Sequence, residues 1–270
     1  MRFALINNER VEATPKLKGL CPGCGQSVTA KCGKYRIWHW AHEAKKNCDK
    51  WWETETAWHR NWKDQFPREW QEKVHYDQSG EKHIADVKTS HDLVIEFQHS
   101  HLDPQERNTR ESFYGNMLWV VNGARLKRDY PRFLKGKGTL KGLPVQGFYL
   151  TPFPEECFPS AWCESKVPVI FDFRGVAPDN PKDKIHETLW CLLPGRAEGH
   201  AVVARLSLQG FFSAVSGGSQ LLPYQEIVAT VAQGIRQQRE NAAKQARSLF
   251  QRQFRRRPWQ GTGRRRRSRF

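Results

Sequence analysis

Ile84-Ala-Asp-Val-Lys-Thr-Ser-His-Asp-Leu-Val-Ile-Glu-Phe-Gln-His-Ser100 is the stretch whose reading decides the fold. Residues 83–89 and 93–98 are rich in β-branched and apolar types, and Ser90-His91-Asp92 makes a short loop between them, which predicts a β-hairpin. A three-residue loop pairs Thr89 with Leu93, and counting back sets Asp86 opposite Glu96 on one face. Cross-strand Cβ atoms lie roughly 4.5–5.5 Å apart, where two like charges repel. A hard divalent cation, Mg2+ or Mn2+, would offset that repulsion, because it favours carboxylate oxygens. Gln98, two residues beyond Glu96, points to the same side. A solvated polar face on a half-buried hairpin is the competing reading of these residues alone.

Upstream of the hairpin, Trp51 to Phe66 reads as a helix, with Glu53 and Glu55 early, where the helix dipole favours acids. Glu55, His59 and Lys63 are spaced i, i+4, i+8 on one face, beside Trp58 and Trp62 as packing residues. The helix immediately precedes the hairpin and is placed to deliver a further acid to it; the plainer alternative is a solvent-facing ladder of charges. Pro67 ends the helix, and Glu69 to Tyr76 alternates as a strand. Downstream, Asp103-Pro104-Gln-Glu106 is a strong helix start, with an N-cap Asp, Pro at the first helical position and Glu at the third. Gly115 to Asn122 is a nearly continuous apolar run, expected of a buried parallel strand. The resulting order of helix, three strands, helix and strand makes an α/β core with one crossover.

The first fifty residues carry a different chemistry. Cys21-Pro-Gly-Cys24 is the Gly/Pro knuckle that presents two thiolates to Zn2+. His39-Trp-Ala-His42 and Cys48 follow, so Cys21, Cys24, His39, His42 and Cys48 are five candidates for four tetrahedral positions, with Cys32 a weaker sixth. So small a segment buries little core by itself, which makes a structural role for zinc the expected one. Reduced thiols beside histidines on an aromatic strand are the plain alternative.

Taken as an ordered set, these motifs resemble a known family. The order of elements, with acids on the first helix and the second and third strands, is similar to that of the PD-(D/E)XK nuclease fold. The set is Cys-Pro-x-Cys at 21–24, His-Trp-Ala-His at 39–42, Glu55 with His59 and Lys63, Ala-Asp-Val at 85–87, Ile-Glu-Phe-Gln-His-Ser at 95–100, Glu106-Arg107 and Trp119-Val-Val. It resembles the competence protein CoiA-like family over roughly residues 10–122. The resemblance implies a zinc-binding N-terminal module joined to a restriction-endonuclease-like core. It also implies DNA hydrolysis, with Asp86 and Glu96 as Mg2+ or Mn2+ ligands, Glu55 as the additional acid and Gln98 as the fourth catalytic position. Gln98 stands where the general nuclease signature has lysine, so Lys63 and Lys88 are candidate stand-ins; Arg107, early in the second helix, is a candidate phosphate contact or a helix-surface ion pair. The family's setting implies DNA as partner, single- or double-stranded, and recombination or competence proteins alongside it. A DNA-binding accessory factor that keeps the fold without cleaving is the rival expectation.

Beyond Gly123 the pattern is looser. Strands are expected at 148–150, 167–173, 187–193 and 201–206, and Cys157, Cys163 and Cys191 lack ligand spacing. A helical pattern runs over 225–254. The resulting division is a module at 1–50, a core at 51–144, an accessory β-rich extension at 145–223, a helix at 224–254 and a disordered Arg-rich tail at 255–270. Charge is concentrated at this end. Of the total +16, residues 236–270 supply +12, from 13 Lys or Arg against Glu240 alone. Arg255, Arg256, Arg257, Arg264, Arg265, Arg266 and Arg267, with Trp259 among them, form a candidate phosphate clamp of low sequence preference. No apolar run approaches the ~18 residues of a membrane span and none suits a secretory signal, so the expectation is a soluble, cytoplasmic protein.

Overall fold

The computed structural model describes residues 1–43, 48–177, 184–218 and 220–255, and two sheets with five helices account for them. The first sheet holds β1 (Phe3–Ile6), β2 (Glu9–Glu12), β3 (Lys18–Leu20), β4 (Ser27–Lys31) and β5 (His39–His42), in the order β2-β1-β3-β4-β5 and antiparallel throughout. Its core is small. Ala4, Ala13, Cys21, Val28 and Trp40 form its buried cluster, with Phe3 of β1 buried as well, a small core for ordering this many residues without a further tie.

A short helix follows, α1 (Ala57–Lys63), and then the strands β6 (Gln71–Tyr76), β7 (Lys82–Lys88) and β8 (Val94–Gln98). After β8 come α2 (Pro104–Tyr114), β9 (Met117–Asn122), α3 (Asp129–Gly136), β10 (Lys141–Gly142), β11 (Phe148–Thr151) and β12 (Val169–Asp172). The chain closes with β13 (Leu189–Leu192), β14 (Ala201–Leu206), α4 (Leu208–Gly217) and α5 (Tyr224–Arg255). Strands β6 to β14 form one nine-stranded sheet in the order β10-β11-β14-β13-β12-β9-β8-β7-β6. The strands of residues 145–223 are therefore edge-on continuations of the same sheet as the hairpin. The pairings of β8 with β9 and of β9 with β12 are parallel and the rest antiparallel. Both faces of the centre are covered, which is why β9 reads as an unbroken apolar run. Trp119 and Val121 pack to one side with α2 and α3, through Tyr114, Tyr130 and Phe133. Leu118 and Val120 pack to the other with Trp62 of α1, Phe211 and Val215 of α4 and Ala232 of α5.

The hairpin has the register that the loop length requires. Val87 pairs with Ile95 and Lys88 with Val94, and the Thr89 amide donates to the Leu93 carbonyl at 2.9 Å. Asp92 takes a φ of 60°, the left-handed residue that a three-residue hairpin loop needs.

The first helix departs from expectation. It begins at Ala57, not Trp51, because Thr56 is its N-cap: the Thr56 hydroxyl accepts from the His59 amide and the His59 ring returns to the Thr56 amide. That reciprocal cap fixes the start and leaves residues 52–56 outside regular secondary structure, so Glu55 lies before the helix rather than on its face.

At the other end, α5 is solvated over most of its length, with residues 236–251 exposed. Arg255 is its last residue; Arg256, Arg257, Arg264, Arg265, Arg266 and Arg267, the core of the expected clamp, lie outside the described residues. No described helix is long and apolar enough to cross a membrane.

Candidate functional site

Two clusters of ligand-type side chains stand on either side of the junction between the sheets. The first is built on the knuckle at residues 21–26. The Cys21 amide donates to the Gln26 carbonyl and the Gly25 amide to the Cys21 carbonyl, both at 2.8 Å, with Gly25 at a φ of 72° that its missing side chain permits. This turn aims Cys21 and Cys24 toward His42 at the end of β5 and toward Cys48. The four ligand atoms lie within 4.8 Å of one another. Cys21 Sγ is 3.6 Å from Cys48 Sγ, and Cys24 Sγ is 3.3 Å from His42 Nε2. A cation held at Zn–S distances of about 2.3 Å has tetrahedral edges of roughly 3.3–3.8 Å, so the set has the size and chemistry for a metal such as zinc. Burial and the neighbouring thiols push the Cys48 thiol up to about 12, a cost that a coordinated cation removes. His39 does not belong to the set: its Nδ1 meets the Ile37 carbonyl oxygen at 2.8 Å. Cys32 also stands outside it.

The second cluster lies where the hairpin's regular ladder ends. Beyond Val87 and Ile95, side chains replace backbone pairing. The Asp86 amide donates to Glu96 Oε1 at 3.2 Å, and the Phe97 amide donates to Asp86 Oδ2 at 3.0 Å. The two carboxylates thus face across the strands and share a small cavity with Glu53, Glu55, Lys63, Glu72, Gln98 and Arg110. Glu96 is almost fully buried, and burial together with the Asp86 charge pushes its carboxyl up to about 8. Arg110 Nη1, at 3.9 Å from Glu96 Oε2, compensates only part of this. Gln98 donates to Glu53 Oε1 at 2.7 Å and to the Ser100 hydroxyl at 3.0 Å.

Lys63 is the cation at the middle of the cluster. Its Nζ is 2.6 Å from Glu55, 2.9 Å from Glu72 and 3.7 Å from Asp86. Burial favours the neutral amine, but Glu72, Asp86 and Glu55 outweigh it and hold the lysine above its ordinary range. With 3% of its side chain exposed, Lys63 is closed to a polymer backbone and acts within the protein. Lys88 is elsewhere: its Nζ reaches Asp92 at 3.1 Å and His75 at 3.3 Å, so it takes no part in the cavity. Arg107 is also removed from the cavity. It pairs with Glu111 at 3.2 Å and donates to the carbonyls of Ala161 and Glu164, so it ties α2 to the segment before β12 instead of facing a phosphate. Glu55, bound by Lys63 and Arg60, meets the carboxylate pair through the lysine. Among the described residues the Cys/His group alone brings three or more ligand atoms together; Asp86 and Glu96 are a pair, open on the cavity side.

Two residues of this site carried no signal in the sequence. Glu72 sits in β6 at a φ of 45°, between Gln71 and Lys73, which pair with Val87 and Ala85, so it lies beside Asp86 on the strand opposite Glu96. It accepts the Arg2 amide at 2.8 Å, the Phe3 amide at 3.1 Å and Lys63, which joins the first sheet to the cavity. Burial raises its carboxyl, but Lys63 and these amides win and bring it down to about 2. Arg110 is the other. Its spacing from Glu106 marks an i, i+4 surface pair, yet it is 4% exposed and bridges Glu106, Glu53, Glu96 and the Trp51 carbonyl.

No curated protein and no solved structure matches this sequence. Residues 6–50, the segment that holds all four members of the Cys/His group, match the family model described as competence protein CoiA, N-terminal domain, so this part of the chain is similar to that domain.

Proposed function

We propose that the protein is a divalent-metal-dependent nuclease of the PD-(D/E)XK type, hydrolysing phosphodiester bonds of DNA in uptake or recombination. The observation that carries this reading is the Asp86–Glu96 pair: two carboxylates opposed across the open end of a buried hairpin, with burial and the charge of Asp86 raising the pKa of Glu96. A structural ion pair would carry its own cation at contact distance. Here the nearest guanidinium stops at 3.9 Å and the nearest ammonium at 3.7 Å, which suits Mg2+ or Mn2+, ions that take one or two carboxylates and keep several waters.

Asp86 and Glu96 would hold the ion, which when bound supplies Lewis acidity toward a phosphate oxygen and lowers the pKa of bound water. The remaining work falls to the chain. The Phe97 and Asp86 amides fix the two carboxylates. Lys63 keeps positive charge beside Asp86 from within the protein and so offsets part of that carboxylate's charge without reaching a phosphate. Gln98, which donates to Glu53, holds the cavity's wall with it; Gln98 would donate to a phosphate oxygen or a water, and Glu53 would accept from a water. The Cys21, Cys24, His42 and Cys48 group would carry structural Zn2+ and keep the first sheet folded against this site.

The test is cleavage of linear, circular and single-stranded DNA in Mg2+ or Mn2+ by the wild type beside Asp86→Asn/Glu96→Gln. Loss of at least a thousandfold in rate with unchanged circular dichroism is the expected result. Equal activity in the two proteins, or none in either, leaves the reading without support. In the second case a non-cleaving DNA-binding factor on the same fold is the function to take up.

A further inference from the structure

A second and larger cavity, about 760 Å3, opens on the first sheet and shares Met1, Asp49, Trp52 and Ile84 with the lining of the carboxylate cavity. Its outer wall is the turn between β4 and β5, where Lys31, Lys34, Tyr35 and Arg36 are all solvent-exposed. Tyr35 is fully exposed and Trp52 is 41% exposed. Among the described residues neither Lys34 nor Arg36 has a carboxylate within ion-pair distance. Two aromatic faces and three exposed cations, two of them without a carboxylate partner among the described residues, form a chemically specific combination around one concavity, since aromatic rings stack on bases whose faces are open and the cations track the phosphates between them. In a duplex the faces are already stacked on each other. An apolar protein partner would leave the three cations without counter-charge, and a lipid surface would need a flat or convex apolar face.

We propose that this groove binds an unpaired stretch of nucleic acid and leads it past Trp52 to the carboxylate pair. The strand's end point rests on the nuclease reading; the groove itself does not. Trp52, common to both cavities, is the pivot, with a base on Tyr35 and the phosphates alongside Lys34 and Arg36. The arrangement selects single strands and frayed ends over blunt duplex, and it works separately from the Arg-rich segment at 255–269, which attracts any polyanion.

The experiment uses the full chain with zinc bound and no Mg2+ or Mn2+, so that binding is read without cleavage. A fluorescein-labelled oligothymidylate and a duplex of equal length are titrated by anisotropy, and a 5-iodouracil-substituted single strand is photocrosslinked and mapped by mass spectrometry. Crosslinks at Tyr35 or Trp52 are expected. So is an affinity for the single strand that falls roughly tenfold with Tyr35→Ala and again with Trp52→Ala, while duplex affinity stays within twofold. Lys34→Glu should lower the salt dependence of single-strand binding; Tyr35 and Lys34 are exposed, so these two variants keep the fold even if Trp52→Ala does not. Crosslinks confined to residues 255–269, with unchanged affinity in Tyr35→Ala and Lys34→Glu, overturn the proposal. A protein that crosslinks at Tyr35 yet fails to cleave in Mn2+ keeps the groove and loses the nuclease reading.

Discussion

The Cys/His group and the carboxylate cavity meet the same problem, several like-charged ligands in one place, and they meet it differently. Among the described residues no Lys or Arg side chain pairs with the four ligands beside the first sheet, and the small apolar cluster beneath them does little to make up for it. The cavity contains Lys63 and Arg110, which offset part of the charge of its acids, and it rests on a nine-stranded sheet covered on both faces. A metal at the first site would therefore be part of the fold. A metal at the second, as proposed, would meet a scaffold already formed and could be bound and lost.

The widest break between them should come from removing ligands. In Cys21→Ser or Cys48→Ser the first sheet should lose bound zinc and become the site of rapid proteolysis, while the nine-stranded sheet stays resistant; binding energies at structural zinc sites are on the order of 10 kcal/mol, far above what this core supplies. His39→Ala should keep stoichiometric metal, as read by elemental analysis. Loss of zinc in His39→Ala, or retention in Cys48→Ser, would dissolve the distinction. In the cavity, Lys63→Met should destabilise the whole fold by about 3–5 kcal/mol in chemical denaturation, because it strands Glu55, Glu72 and Asp86. Adding Glu72→Gln to that variant should recover part of the loss, and additive effects of the two changes would mean that the pair is not coupled.

A smaller effect is expected with pH. Glu72 has a folded pKa near 2 against about 4.5 unfolded, a depressed carboxylate, so its contribution is complete above the unfolded value and is lost as pH falls from about 4.5 toward 2. The shift is worth on the order of 3 kcal/mol. Urea midpoints at pH 5 and pH 3 should differ by less in Glu72→Gln than in the wild type. An equal difference would refute the assignment.

Sequence spacing carried the hairpin because a three-residue loop leaves one register, and that register alone opposes Asp86 to Glu96. It carried four of the five zinc candidates, because the knuckle and the His-Trp-Ala-His strand are local patterns. It misplaced the first helix by six residues: early acids look the same whether they serve a helix dipole or, like Glu53 and Glu55, bind Gln98 and Lys63 from the irregular segment before it. Glu72 was invisible for a deeper reason. A glutamate in an alternating strand reads as solvent-facing, and neither its left-handed backbone nor its distant partners leave a mark on neighbouring residues. Arg107 and Arg110 show the same limit, since i, i+4 charge pairs look identical whether solvated or buried.

The bond between Glu72 and the Arg2 and Phe3 amides makes those two protons reporters. Their exchange with deuterium requires the acid to release the chain at residues 2–3, and that acid is the one Lys63 binds beside Asp86. The rate at which two backbone positions in the small sheet take up label is thus a clock for loosening in the other sheet's cavity, readable without substrate, metal or any change to the chain.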